Sequence, residues 1–172
     1  MILGLDISTS ITGVTLLDYD NNIILNDAID LRKYKNFFIK SEKVAEYFKN
    51  LSQKPDKIFI EQSLQSFRSG FSSAATLSTL SRFNGVVSWL AYKQWLLEPE
   101  YLAATSARKL AGIKIIRGTP AKPQVLQHLV DNEPSFVIEY TRHGNPKPDT
   151  YDRADSLIIA RAGLQLCTNK KS

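Results

Sequence analysis

Four acidic side chains in this sequence stand where charge is expensive. Asp6 closes the apolar run MILGLD, Glu61 follows KIFI, and Asp152 and Asp155 lie three apart in YDRADSLIIA. A carboxylate beside a core is costly unless it is paired or bound to a cation, so three segments that each carry one point to convergence on a shared metal. Hard oxygen donors without Cys or His partners favour magnesium, with manganese as a substitute. Two such ions, held about 4 Å apart, generate a hydroxide nucleophile and stabilise the leaving oxygen in an in-line attack on a phosphodiester. The chemistry within reach of these residue types is therefore metal-dependent phosphoryl chemistry.

Composition narrows what such a site is built into. The 172 residues, 43% of them hydrophobic, fit one compact domain spanning 1–172, with a polar tail at 168–172 expected to fray. Twenty-two Lys and Arg against 17 Asp and Glu give a formal charge of +5, which attracts a polyanion through sequence-independent contacts. A basic exterior around a carboxylate cluster suits a nucleic acid brought to bound divalent metal. The lone Cys167 excludes an internal disulfide and a Cys-based zinc site, and His128 and His143 are too far apart in sequence to favour an imidazole one. The strand-like start at Met1 leaves no room for a targeting peptide, and no apolar run approaches the roughly 18 residues of a membrane span. The expectation is a soluble protein of a reducing compartment, cytoplasm or the interior of a nucleoid, organelle or virus-infected host, and not a secreted one.

The elements that must position the acids follow from periodicity. Residues 1–7, 12–18 and 23–31 read as an antiparallel meander, with Asp20, Asn21 and Asn22 supplying turn chemistry. Residues 38–51 carry apolar side chains at helical spacing before Pro55 and Asp56 stop them and a strand runs from 57 to 61. A long helix over 73–97, a short strand over 100–104, helices near 105–111 and 120–131, and a last helix over 151–166 complete the chain. This order describes an α/β protein of RNase H-like fold, a mixed central sheet flanked by helices. Asp6 and Glu61 then end neighbouring strands, while Asp152 and Asp155 share one face at the start of the last helix.

At these residues the sequence resembles RuvC-type Holliday junction resolvases, in the manner of divergent phage or organellar members. ILGLDISTSITGV is similar to the family's opening, IFIEQ to its second motif, and DRADSLIIA to its C-terminal helix with two acids three apart. GTPAKPQVLQHLV, residues 118–130, is similar to its lysine-bearing segment, and ARKLAG to the basic stretch before it. The resemblance implies that Asp6, Glu61, Asp152 and Asp155 bind two magnesium ions and that Lys122 steadies the scissile phosphate or its transition state. Lys109 or its neighbour Arg108 would be the other basic residue. It further implies a homodimer, without small-molecule cofactor or membrane partner, that cuts two strands of a four-way DNA junction symmetrically and leaves ligatable nicks, a reaction of recombination and repair. The sequence departs from the family at Leu64, where a junction-contacting Phe is usual, and at Ile7-Ser8, where Pro-Gly is common.

Around these motifs Phe67, Arg68, Phe71 and Arg82 flank a Ser/Gly-rich stretch able to stack on bases and grip phosphate, or else to cover a core edge. The long helix carries Trp89, Tyr92 and Trp95 as core or dimer contacts, with Leu77, Phe83 and Leu90 as a candidate dimer face. Plainer roles exist for the acids too: Asp6 as a turn stabiliser beside Ser8, Thr9 and Ser10, Asp152 and Asp155 as partners of a helix dipole, Lys122 as a solvated first-turn residue. Asp149 reads as an N-cap or loop residue. Other function classes are a generic RNase H-like nuclease on branched DNA or RNA–DNA hybrid and a junction-binding protein that does not cleave. An actin-like ATPase would need a second phosphate loop that the sequence lacks.

Overall fold

A computed structural model describes residues 1–63 and 73–169 of the chain. In order these form β1 (Ile2–Asp6), β2 (Ile11–Leu17), β3 (Ile23–Asp30), α1 (Phe37–Lys49), β4 (Lys57–Glu61), α2 (Ala74–Trp95), β5 (Glu100–Leu102), α3 (Ala104–Leu110), α4 (Ala121–Asn132) and α5 (Thr150–Asn169). The five strands make one sheet ordered β3-β2-β1-β4-β5, antiparallel from β3 to β1 and parallel from β1 to β5. The α/β architecture expected from the sequence is the one observed.

Local chemistry explains the boundaries. Asn36 caps α1 by accepting from the Phe38 and Ile39 amides at 2.8 and 3.1 Å, and Ser73 caps α2 by accepting from the Thr76 amide at 3.1 Å. Leu96 ends α2 in the left-handed region at φ 56°, so the helix stops short of the Pro99 that was expected to close it. The polar tail expected to fray at residue 168 is still helical there, with the Thr168 hydroxyl donating to the Gln165 carbonyl at 3.0 Å.

Strand alternation splits the core into two layers. Leu3 and Leu5 of β1, Val14 and Leu16 of β2 and Ile58 and Ile60 of β4 pack under α1 and α2 with Val44, Phe48, Phe83 and Val87. Ile2, Leu17 and Phe59 face the other way, onto Leu157, Ile158 and Ala160 of α5. α5 is buried on nearly all sides, since α3 and α4 cover its outer surface through Ala107, Val125 and Leu129. Phe83 is fully buried in the α1/α2 layer, so it belongs to the core and not to a dimer face. Trp95 is core as well, whereas Trp89 and Tyr92 stand 58% and 46% exposed. Among the described residues no helix is long and apolar enough to cross a membrane.

Candidate active site

The period of two that buries Leu3 and Leu5 beneath α1 and α2 turns Gly4 and Asp6 to the α5 side, and the same alternation on β4 sends Phe59 and Glu61 there. β1 and β4 run parallel with Leu5 opposite Ile60. Asp6 and Glu61 thus end adjacent strands at the same edge of the sheet and on the same face.

α5 reaches that edge because β1 and β2 leave room for it. A Cβ on Gly13, the residue paired with Asp6 across β1 and β2, would lie 1.9 Å from the Asp152 carbonyl oxygen. One on Gly4 would lie 2.5 Å from the Ala160 nitrogen and the Ser156 carbonyl oxygen. Glycine alone admits a helix backbone this close to a strand. The first turns of α5 therefore rest against the end of β1, and Asp152 and Asp155 arrive beside Asp6.

A cavity of about 190 Å³ opens there, lined by Asp6, Ser8, Glu61, Gln62, Lys122 and Asp152, with Leu77 and Leu80 of α2 as an apolar wall. Lys122, in the first turn of α4, places its Nζ 3.5 Å from Asp155 Oδ2 while its own side chain stays 56% exposed. Burial, and then the charges of Glu61, Asp155 and Asp152, push the Asp6 carboxyl well above the usual carboxylate range, against a smaller opposing pull from Lys122. Burial and Asp155 push Glu61 up to about 7, and burial is the main cause that brings Asp152 to about 6. Asp155 is raised by burial, with Lys122 and Arg108 pulling the other way. Four carboxylates that oppose one another's ionisation make an electrostatic sink for added positive charge.

The donor set has the chemistry of a hard divalent cation's site: carboxylate oxygens from three elements, no thiol, no imidazole. Among the described residues these side chains do not close into a preformed cluster of three or more metal-ligating groups. Asp6, Glu61 and Asp152 line the cavity and Lys122 joins them to Asp155, so the set fits such an ion by chemistry and charge.

The turn after β1 is held by Ser8 and Thr12: Ser8 Oγ accepts from the Ser10 and Ile11 amides at 3.2 and 3.1 Å, and Thr12 Oγ1 donates to the Ser8 carbonyl at 3.0 Å. Asp6 takes no part in those bonds. Asp149 directs Oδ2 to Arg153 NH1 at 3.6 Å, apart from the cavity. The end of β4 is pinned by the buried Asn84 of α2, whose Nδ2 donates to the Glu61 carbonyl at 3.1 Å.

Of the other expected site residues, Arg108 on α3 lies close enough to Glu61 and Asp155 to lower both. Lys109 is exposed and lines a shallow hollow with Thr105, Arg108, Ile113 and Ile115. Arg82 is separated from the acids and lines a groove of about 670 Å³ with Phe37, Phe38, Val86 and Trp89. Phe67, Arg68, Phe71 and Leu64 lie outside the described residues. Sequence reading missed Asn84, Leu77 and Leu80 as parts of the site. It gave no role to Gly4 and quoted Gly13 only within a motif, although two glycines on the Asp6 face of adjacent strands mark a close approach.

A mixed sheet of this order with carboxylates at the end of its two central parallel strands defines an RNase H-like fold. Within that class the chain has the fold of RuvC. It superposes on Thermus thermophilus RuvC in complex with Holliday junction substrate with a TM-score of 0.64 at 12% identity, over 98% of this chain and 94% of that one. It matches another Thermus thermophilus RuvC structure with a TM-score of 0.62 at 13% identity, over 98% and 96%. No protein-family model matches the chain, and no curated protein matches it in sequence.

Proposed function

We propose that this chain is a divalent-metal-dependent endonuclease that resolves four-way DNA junctions as a homodimer. The observation that carries the reading is a cavity lined by Asp6, Glu61, Asp152 and Lys122, with Asp155 against Lys122, in a chain with the fold of RuvC. The substrate class is that of the Thermus thermophilus RuvC solved with a Holliday junction.

Asp6, Glu61, Asp152 and Asp155 would hold two ions, magnesium by preference and manganese as a substitute. When bound, the ions supply an activated water and charge stabilisation at the phosphoryl oxygens. The chain's own residues do the rest. Lys122, whose side chain is exposed while its Nζ lies 3.5 Å from Asp155 Oδ2, is placed to meet a phosphate that approaches the acids. Arg108 offsets the negative charge of Glu61 and Asp155 from the other flank. Leu77 and Leu80 make one wall of the cavity apolar, which strengthens the charge interactions beside it.

Paired, symmetric nicks need two copies of the site. The contact between copies is proposed on the outward face of α2, where Trp89 and Tyr92 stand exposed. The deciding experiment offers purified protein a labelled four-way junction, a three-way flap, a linear duplex and an RNA–DNA hybrid, each with and without magnesium. Symmetric paired nicks on the junction alone, only with magnesium, are expected. Preferential cutting of the hybrid would move the chain to the RNase H type of activity, and junction binding without any cutting would make it a binding protein. Sedimentation that shows only monomer, with and without junction DNA, would overturn paired cutting.

A further inference from the structure

On the sheet face that carries Asp6, the packing under α5 is interrupted by a connected polar set. Thr15 of β2 and Asn26 of β3 are cross-strand partners. Asn26 Nδ2 donates to Thr15 Oγ1 at 2.8 Å and to the Arg153 carbonyl at 3.0 Å, and Arg153 Nε donates back to Asn26 Oδ1 at 3.2 Å. Ser156 Oγ lies 2.8 Å from Thr15 Oγ1 and 2.9 Å from the Arg153 carbonyl, to which it donates. Thr15 and Ser156 are fully buried.

The helical members of this set, Arg153 and Ser156, each follow one of the two acids on α5. Buried hydrogen bonds add only modest net stability over a well-packed apolar contact, but they are directional where apolar packing is not. The glycines of β1 and β2 allow α5 to come close; they do not set its rotation. At about 100° per residue, a helix rolled by a fraction of one step turns its carboxylates away from a fixed strand end. A directional polar set across this contact is suited to fixing that rotation. Arg153 also donates from NH2 to the Val137 carbonyl at 3.0 Å and stands over the Phe136 ring at 5.5 Å, so the segment before α5 is tied to the same anchor.

We infer that Asn26, Thr15, Ser156 and Arg153 are positioning residues that set the roll of α5 and so bring Asp152 and Asp155 to Asp6 and Glu61. The inference rests on the metal-binding reading of those acids. It is tested on the full chain without DNA, by titrating manganese against the thermal unfolding midpoint in wild type, Thr15→Val, Thr15→Ser, Asn26→Leu and the opposite-face control Val44→Ala. Thr15→Val and Asn26→Leu are expected to weaken the apparent manganese affinity by about tenfold or more, the usual scale for groups that orient metal ligands. Thr15→Ser, which keeps the hydroxyl, restores it. Val44→Ala lowers the metal-free midpoint and leaves the affinity at the wild-type value. Wild-type affinity in both Thr15→Val and Asn26→Leu overturns the positioning role, as does an equal loss in Val44→Ala, which would mark general loosening. A wild type whose midpoint does not respond to manganese fails earlier, sinking the metal reading and this inference together.

Discussion

The two faces of the sheet are made from alternate residues of the same strands, yet they solve different problems. Under α1 and α2, β1 contributes Leu3 and Leu5 to a continuous apolar layer. Under α5, the same strand contributes Ile2, then Gly4, then Asp6, and β2 contributes Gly13, Thr15 and Leu17. The first face is filled by volume. The second is thinned by glycines, pinned by hydroxyls and ended by charge, because a helix backbone must arrive there at a fixed height and rotation. Both sides of the strand carry stability but only one carries the site geometry, so substitutions can separate the two.

The largest separation is expected at Asp6. Asp6→Asn keeps the shape of the strand end and removes a carboxylate from the cluster. Cleavage of a labelled four-way junction should be abolished, while binding of the junction in calcium or EDTA stays nearly intact. Cleavage at the wild-type rate would remove Asp6 from the site.

A matched pair on β1 and β2 tests the contrast between the faces. Leu5→Ala empties a fully buried position under α1 and α2 and should cost about 2–5 kcal/mol. Gly13→Ala forces a methyl group to within 1.9 Å of the Asp152 carbonyl oxygen, an overpacking against backbone expected to cost about 3 kcal/mol or more. Denaturant unfolding should therefore show similar losses for the two. The cleavage rate per folded molecule should be retained in Leu5→Ala and lost in Gly13→Ala, because only the second moves α5 and its acids. Equal rates in the two variants would show that α5 tolerates displacement.

Much of this division was legible in the sequence. Asp6 and Glu61 announced themselves by closing apolar strands, which put them at neighbouring strand ends; that they share a face followed only from the parallel register that sets Leu5 opposite Ile60. The strands and helices came out within a few residues: Pro55 and Asp56 stopped the first helix and Ser73 opened the long one, whereas the Asn36 cap of α1 was not read. What stayed hidden depended on helical phase and on long-range partners. Arg108 and Lys109 are adjacent in sequence but differ by about 100° around α3, and only the placement of α3 on α5 sends Arg108 toward the acids. Phe83 looked like surface because α2 is apolar around much of its circumference, and only the sheet's position makes it core. Asn26 gave no signal: a polar residue in a strand reads as solvent-facing until the helix that covers it, 127 residues later, is in place.

A smaller effect separates two cations. Lys122 lines the acid cavity, whereas Arg82 lines the groove on α2. Lys122→Ala should lower the single-turnover cleavage rate roughly a hundredfold, with a much smaller change in junction affinity, as for loss of a group whose contact is strongest in the transition state. Arg82→Ala should leave that rate unchanged. An unaffected Lys122→Ala would return this lysine to the solvated surface.

The smallest effect is a pH dependence confined to one face. In the folded chain Glu61 titrates at about 7, above its ordinary value of 4.5, and Asp152 at about 6, above 3.8. Between the ordinary and the raised values the folded state holds protons that the unfolded chain has released, so stability falls as pH rises through that window. The contribution is fully present below the unfolded value and lost above the folded one, the reverse of a salt-bridged carboxylate. In EDTA the unfolding midpoint of wild type should therefore decline relative to Glu61→Gln as pH rises from about 4.5 to about 7. Leu5→Ala, which removes no titrating group, should run parallel to wild type throughout. Magnesium should reverse the slope for wild type, because an ion that binds only ionised carboxylates stabilises the folded state more as they deprotonate. Parallel curves for wild type and Glu61→Gln in EDTA would mean that Glu61 is not held under strain by its neighbours, and the electrostatic distinction between the two faces would fall with it.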